Sequence, residues 1–387
     1  MQAPPQPGGE TLLVHFWYAH PVGHAIEALR YCLGYSRANP DMRVSLALNY
    51  ATPTELGRLC PFIDVTYPIR QRFADPDADP LQALAHVPIE WDWIVDDARR
   101  GQPEQLAAFP GLGRYYASSD TYFRARRGRG TAGAEPPAYA AHQQLALDLP
   151  QECRERARLR LEGSGPRIAL MPAGSGPRHW YPSATSWELI VHALLEEHPD
   201  ALVCFVGKRA HDERTATSFG RDELDRLRRA SPVHADCFDD DLITQLAMVE
   251  ACDLFMSPHT GFGMAALAVG TPWLALSGNS WPEYFFNDVP FYSVLPDPDR
   301  FPCHNAFGPE PPAVEQDSDG EGRRSPSMSA ERVRAGLVEL LQAASALLDR
   351  RLPFEVALED HFRRLLQFYG GDRSRIWSID GIHRRYL

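Results

Sequence analysis

Residues 168–182 read Ile-Ala-Leu-Met-Pro-Ala-Gly-Ser-Gly-Pro-Arg-His-Trp-Tyr-Pro. The apolar run from Ile168 to Met171 has the length and composition of a buried strand. It ends at Pro172 in a loop that holds Gly174, Ser175 and Gly176. A helical pattern opens near Ser183 and carries Trp187, Leu189, Ile190, Leu194 and Leu195. Strand, glycine-bearing turn and helix together form a place to hold phosphate. N–H groups in the turn and at the helix start point at an anion, and glycine lets the anion come close. Arg178 adds a planar cation able to grip phosphate through two hydrogen bonds. The Gly-Ser-Gly sequence matches neither of the common glycine-rich nucleotide loops, so this stretch alone leaves an ordinary strand-to-helix turn open.

A matching unit follows. Cys252 to Met256 is a short apolar strand, and Ser257-Pro-His-Thr-Gly-Phe-Gly263 is a second glycine-bearing turn. Met264 to Val269 reads as a small-residue helix closed by Gly270-Thr-Pro272. Trp273 to Leu276 is a further strand, ended by Ser277-Gly-Asn-Ser280. Two such turns, each leaving a strand of one parallel sheet, meet at the carboxyl edge, where open α/β sheets bind ligands.

The run from His259 to Gly278, with Thr260-Gly261 and Gly270-Thr-Pro272, resembles the nucleotide-sugar signature of the ADP-heptose:lipopolysaccharide heptosyltransferases. Arg178-His-Trp-Tyr-Pro182 resembles that family's Lys-x-Trp-Pro segment, where the cation binds diphosphate. Thr260 and Gly261 match residue for residue. His259 stands where the family has an acid, Met264 where it has a histidine and Arg178 where it has a lysine. The likeness covers about half of the chain. It implies an α/β chain of the GT-B fold, with two Rossmann-like domains facing across a cleft and the sugar nucleotide on the second.

Length and composition agree with that expectation. The chain has 387 residues, 44% of them hydrophobic, which suits two globular domains. The formal net charge of −12 argues against nucleic acid as a partner. The seven cysteines, Cys32, Cys60, Cys153, Cys204, Cys237, Cys252 and Cys303, form no Cys-x-x-Cys pair, and several lie in apolar strands. Buried reduced thiols in a cytoplasmic protein are expected. Some relatives in the resembled family hold iron on a cysteine cluster; only Cys303 falls at that point, so no metal is expected. No apolar run approaches the roughly 20 residues needed to span a bilayer, although peripheral membrane contact stays open. The N-terminus lacks the basic region of a signal peptide. Lys208 is the only lysine, an arginine bias that suggests a GC-rich bacterial genome.

In chain order, residues 1–10 are a proline- and glycine-rich tail. Thr11 to Tyr18 is a strand, Ala19-His-Pro-Val-Gly-His24 a turn and Ala25 to Ser36 a helix. Arg43 to Leu48, Pro53 to Cys60 and Ile63 to Tyr67 continue as strand, short helix and strand, which is βαβαβ at Rossmann spacing. Trp91 to Val95 is a strand and Pro103 to Phe109 a helix. Tyr115 to Phe123 is aromatic and polar, and Arg124 to Pro137, rich in arginine and glycine with no apolar period, reads as a mobile loop. Ala140 to Leu161 is charged and helical. In the second half, Ala201 to Val206 is a strand, followed by helices over 223–229 and 241–252. Gly308 to Ser329 has the composition of a disordered segment or lid. Helices follow over 330–351 and 354–369. The expected domains are 1–150, taking the acceptor, and 151–353, taking the donor. The resemblance implies that residues 354–387 pack back on the first.

Glycosyl transfer to a hydroxyl needs a base on the acceptor and charge stabilisation of the leaving diphosphate. Gly23-His24 follows the first strand, where the resembled family has Gly-Asp and other GT-B enzymes have Gly-His. The resemblance therefore implies His24 as the base, with His20 as the alternative. The donor-binding set is Gly174, Ser175, Gly176, Arg178, His259, Thr260 and Gly261, with Lys208, Asp212 and Glu283 reaching the base, ribose or sugar. Trp281 and Tyr284 are alternatives at the sugar. The expected activity is inverting, metal- and cofactor-independent transfer of a hexosyl or heptosyl group from a nucleoside-diphosphate sugar. The acceptor is a secondary metabolite, such as an aminoglycoside-like antibiotic, or a cell-envelope saccharide. A nucleotide-sugar epimerase and an inactive saccharide-binding subunit remain as alternatives.

Overall fold

A computed structural model describes residues 9–17, 22–71, 79–97, 100, 103–108, 110–127, 137–176, 181–210, 216–276, 287–295, 330–376 and 378–387. The chain divides into two compact units, Met1–Asp148 and Leu149–Leu387.

The first unit is built on a parallel sheet of β1 (Thr11–Phe16), β2 (Arg43–Asn49), β3 (Thr66–Ile69), β4 (Glu90–Asp96) and β5 (Arg124–Arg127), in the order β3-β2-β1-β4-β5. Helix α1 (Val22–Ala38) covers one face, with Tyr31 against Phe16 at 5.6 Å. Helices α2 (Pro80–Leu84) and α4 (Pro110–Tyr122) cover the other; α3 (Pro103–Ala108) lies before α4. On that second face Leu13, Trp17, Ile94, Leu112, Tyr115 and Tyr116 form the core. A sheet covered on both faces buries apolar side chains in both directions, which is why these strands read as continuous apolar runs.

Two expectations change here, and the aromatic, polar stretch 115–123 gains an element. Residues 115–122 are the body of a helix, α4, although Gly111, Gly113, Ser118 and Ser119 weaken its local propensity. Burial of Leu112, Tyr115, Tyr116 and Ser119 on one side supplies what propensity lacks. Arg124–Arg127 is a strand and not a loop: it pairs with β4 in the register Trp93↔Arg126 and Ile94↔Arg127. Arginine is tolerated there because β5 is an edge strand with room for charged side chains, and the Arg126 guanidinium lies 4.2 Å from the Trp93 ring centre. Residues 140–150 form no helix. Leu145, Leu147 and Leu149 are buried in alternation with exposed neighbours, a period of two that suits an extended chain. The helix, α5, spans only Gln151–Arg160.

The second unit has a parallel sheet of β6 (Arg167–Leu170), β7 (Leu202–Phe205), β8 (His234–Asp236), β9 (Leu254–Ser257), β10 (Trp273–Ala275) and β11 (Phe291–Ser293), ordered β11-β10-β9-β6-β7-β8. Helices α6 (Ala184–Glu197), α7 (Arg221–Ala230) and α10 (Ala330–Leu348) bury Trp187, Leu224, Val333 and Leu340 in its main core. Helix α8 (Leu242–Glu250) packs with α5 and with α9 (Gly261–Ala268). β8 (His-Ala-Asp) and β11 (Phe-Tyr-Ser) were not legible in the sequence: each has three residues and neither forms an apolar run like that of β10.

Helix α11 (Phe354–Phe368) was expected on the first domain. Its described packing partners are in the second unit. Phe354 and His361 meet Phe291 of β11 at 6.3 and 5.7 Å, and Arg364 donates to the Ser293 carbonyl at 3.0 Å. Phe362 of α11 meets His383 and Tyr386 at 6.1 and 6.0 Å. Among the described residues six cysteines are free thiols; burial pushes Cys60 up to about 12 and keeps it protonated.

Candidate functional site

In the second sheet, chain order runs outward from β6 to β8 on one side and from β9 to β11 on the other. The direction reverses between β6 and β9, and ligands of open α/β sheets bind beyond the carboxyl ends of strands at such a reversal. The turn Met171–Gly176 leaves β6, and Pro258–Thr260 leaves β9. The two turns meet. The Thr260 hydroxyl donates to Met171 Sδ at 3.9 Å. A Cβ on Gly174 would stand 2.9 Å from the Tyr181 hydroxyl and 3.1 Å from Thr260 Cγ2, so glycine is required where the turns and Tyr181 converge.

The first turn is anchored from three sides. Trp187 Nε1 donates to the Pro172 carbonyl at 2.9 Å. The Gly176 N–H donates to the Tyr181 hydroxyl at 3.0 Å. Burial pushes the Tyr181 phenol up to about 12, the Gly176 N–H opposing, so it stays neutral. The Thr217 hydroxyl donates to the Ala173 carbonyl at 2.9 Å, and the Ser218 N–H to the Gly174 carbonyl at 2.9 Å. The Thr217 N–H also donates to the Lys208 carbonyl at 2.6 Å, which ties the end of β7 to the same edge. Ser183 then caps α6, its hydroxyl accepting from the Ser186 N–H at 3.1 Å.

At the second turn Thr260 is the extended residue before α9, with φ −141° and ψ 153°. The first N–H groups of any helix lack an intrahelical acceptor. Here they include those of Gly261 and Phe262, while the Gly263 N–H donates to the Thr260 carbonyl at 3.0 Å. His259 is buried with its ring 6.1 Å from that of Trp273. Gly263 answers to packing: a Cβ there would lie 2.1 Å from the Trp273 ring. Trp273 in turn donates through Nε1 to the Ser257 hydroxyl at 3.0 Å.

The structure thus brings Gly174, Ser175, Gly176, His259, Thr260 and Gly261 to one sheet edge, with half-buried Lys208 at the end of the neighbouring β7. Ser175 is exposed, and Gly174 is buried. His20, Arg178, Asp212 and Glu283 lie outside the described residues, as do Trp281, Tyr284, Cys303 and the segment 308–329.

The first sheet repeats the pattern. Its chain order reverses between β1 and β4. β1 leads through residues 18–21 into α1, whose first turn carries buried Gly23 and half-buried His24; the helix starts earlier than the pattern suggested. Across the reversal, His15 on β1 stands in register with Asp96 on β4. His15 Nδ1 lies 2.8 Å from Asp96 Oδ1, and Nε2 lies 2.7 Å from the Tyr115 hydroxyl. Arg100 donates to Asp96 and also to Asp120. Burial lowers the Arg100 guanidinium, but Asp96 and Asp120 outweigh it and hold the group above its ordinary value. Trp17 stacks on Tyr115 at 4.0 Å. The sequence reading missed this set. The available signal was a histidine between Leu13 and Trp17 on the inward side of an apolar strand.

Among the described residues no cluster of histidine, cysteine or acidic side chains is arranged to hold a metal. No described helix is long and apolar enough to cross a membrane.

No protein-family model matches this sequence, and no curated protein matches it. Solved structures do. The family 9 glycosyl transferase from Veillonella parvula is similar at a TM-score of 0.55 and 12% identity, over 88% of this chain and 97% of that one. The Escherichia coli ADP-heptose LPS heptosyltransferase II is similar at a TM-score of 0.54 and 12% identity, over 88% of this chain and 99% of that one. The likeness is one of fold. The chain is an α/β protein of two Rossmann-like domains, the GT-B fold.

Proposed function

We propose that this chain is an inverting glycosyltransferase that moves a hexosyl or heptosyl group from a nucleoside-diphosphate sugar to a hydroxyl of a small metabolite or a cell-envelope saccharide. The observation that carries the reading is the meeting of the two glycine-bearing turns, through Gly174 and Thr260, at the strand reversal of the second sheet. The leaving diphosphate would take N–H groups of both turns and the head of α9, with Arg178 as the cation. Lys208, Asp212 and Glu283 would contact the rest of the donor. Charge that develops on the departing diphosphate is then met by donors already in place. His24 would take the proton of the attacking hydroxyl. The residues invoked need no metal and no cofactor.

The test is nucleoside-diphosphate release from a panel of ADP-, UDP-, GDP- and dTDP-sugars, with calorimetric titration of the four nucleotides. Turnover or micromolar binding of one nucleotide supports the reading; no binding and no release across the panel overturns it. Two variants sharpen it. Arg178→Ala is expected to lose a charge-assisted phosphate contact of about 1.5–3 kcal/mol, roughly tenfold or more in affinity. Gly174→Ala places a methyl between Tyr181 and Thr260, and overpacking of this kind typically costs about 1–3 kcal/mol. Nucleotide affinity is expected to fall about tenfold while circular dichroism is unchanged. Wild-type affinity in Gly174→Ala would show that the turns need no close approach.

A further inference from the structure

β3 runs Thr-Tyr-Pro-Ile and stops at Ile69. Arg70 and Gln71 follow it at the carboxyl edge of the first sheet. α2 opens at Pro80, capped by Asp79, whose Oδ1 accepts the Leu81 N–H at 3.0 Å. A cavity of about 570 Å³ lies between the end of β3 and the α2 segment. Pro68, Arg70 and Gln71 line it from the strand side, and Asp79, Gln82, Ala83 and His86 from the helix side; all seven lie among the described residues. The volume is that of a small-molecule site. The His86 ring is backed by Tyr67 at 6.4 Å, and Tyr67 by Trp91 at 6.1 Å.

Gln71 is 4% exposed, and its Oε1 has no hydrogen-bond partner among the described residues. Its backbone is held: the N–H donates to the Ile69 carbonyl at 3.1 Å, and the carbonyl accepts from Asn49 Nδ2 at 3.2 Å. Asn49 is itself 0% exposed and takes the Ala51 N–H at 3.0 Å. Burying an amide without a partner is costly, and nearly all buried polar groups in native proteins avoid it. A leucine of similar size would fill the position without that cost. An amide kept there, lining a cavity, has the form of a group that a ligand completes.

The lining sets the chemistry of that ligand. Arg70 and Asp79 bring one positive and one negative charge, which cancel. Gln71 and Gln82 each offer donors and an acceptor. A phosphate or carboxylate would meet the like charge of Asp79, and a polyamine that of Arg70. A ring of hydroxyl groups, each able to donate and to accept, satisfies the whole set. Across the sheet Pro68 is in register with Leu48, and Leu48 with Phe16, the last residue of β1. The strand wall of the cavity is thus level with the end of β1 and two strand spacings from it, about 10 Å.

We propose that this cavity is a subsite for one neutral sugar ring, with the Gln71 amide as its buried hydrogen-bonding group. In the transferase reading that ring is part of the acceptor, and a polycationic aminoglycoside does not fit. Only this role rests on that reading; the binding does not.

The probes are the methyl glycosides of glucose, galactose and mannose at up to about 100 mM, a range that reveals millimolar affinity. In ¹⁵N NMR of the full chain, at least one is expected to move the Gln71 side-chain amide and the backbone amides of residues 70, 82, 83 and 86. Gln71→Leu is expected to weaken that glycoside about tenfold or more. The same variant is expected to keep or raise the thermal midpoint, because it removes a buried group that lacks a partner. Kanamycin, glucuronate and inorganic phosphate are expected to bind here more weakly than the glycoside. No shift with any of the three glycosides overturns the proposal, as does equal glycoside affinity in Gln71→Leu, or tighter binding of kanamycin, glucuronate or phosphate at these residues. If Gln71→Leu fails to fold, Gln82→Ala, at an exposed position of α2, takes its place with the same expected loss of affinity. If the wild type releases no nucleotide from any sugar donor, the transferase reading falls, and the glycoside titration still decides the subsite.

Discussion

His24→Ala is expected to lose about 10²–10⁴-fold in kcat while keeping nucleotide affinity and the fold. The residue sits in the first turn of α1, the helix that follows β1 in the chain. Imidazole is the side chain most often used to take a hydroxyl proton in general base catalysis. It lies in the first unit, whereas the proposed phosphate contacts lie in the second, so its removal leaves donor binding in place. The helix start is held by apolar neighbours Ala25, Ile26 and Leu29, all buried, which is why the fold survives. Single-turnover rates and calorimetry on the same preparation check both halves. His20→Ala is the control, with a smaller expected loss. If His20→Ala is dead and His24→Ala is active, the base is His20; if both are active, the base is an acid elsewhere or the chain is not a transferase.

Trp187→Ala is expected to cost about 3–5 kcal/mol of stability, the range for a buried tryptophan truncated to alanine. Trp187 is 0% exposed within the core of Ile168, Leu170, Ala173 and Leu224. Its Nε1 also holds the Pro172 carbonyl, so the substitution leaves a cavity and an unpaired buried acceptor together. Urea unfolding monitored by circular dichroism measures the loss through the midpoint at constant slope. Trp187→Phe separates the two terms: it keeps most of the volume and removes only the hydrogen bond that steadies the first turn. Its stability is expected to fall by about 1–3 kcal/mol. Nucleotide affinity is expected to fall with it, because the turn that carries Gly174 loses an anchor. An affinity equal to wild type in Trp187→Phe would show that the remaining anchors at Ala173, Gly174 and Gly176 suffice.

The elements that the sequence shows are those with a strong local period or a distinctive turn. Ile168 to Met171 and Cys252 to Met256 are apolar runs cut by proline and glycine, and they became β6 and β9 nearly as read. α7 opens at Gly220, with Glu223 accepting from the Gly220 N–H at 2.7 Å, and the acidic first turn and arginine-rich last turn mark its ends. α4 is not legible in the sequence, and β5 reads there as a loop, because what holds them is not local. One is a glycine- and serine-bearing helix kept by its buried side, and the other an arginine strand kept by pairing to β4.

The sequence by itself determined the two α/β series, the glycine-bearing turns and the place of His24 after the first strand. These follow from side-chain period and backbone freedom within a few neighbouring residues. Only the tertiary structure decided which turns meet. Strand order places β6 beside β9 and β1 beside β4, and strand order is set by packing between residues far apart in the chain. Gly263 closes a glycine-bearing turn in the sequence, but in the structure it makes room for the Trp273 ring. His15 and Asp96 are 81 residues apart, and no local pattern relates them. Their hydrogen bond exists because parallel pairing of β1 with β4 puts both side chains on one face in one register.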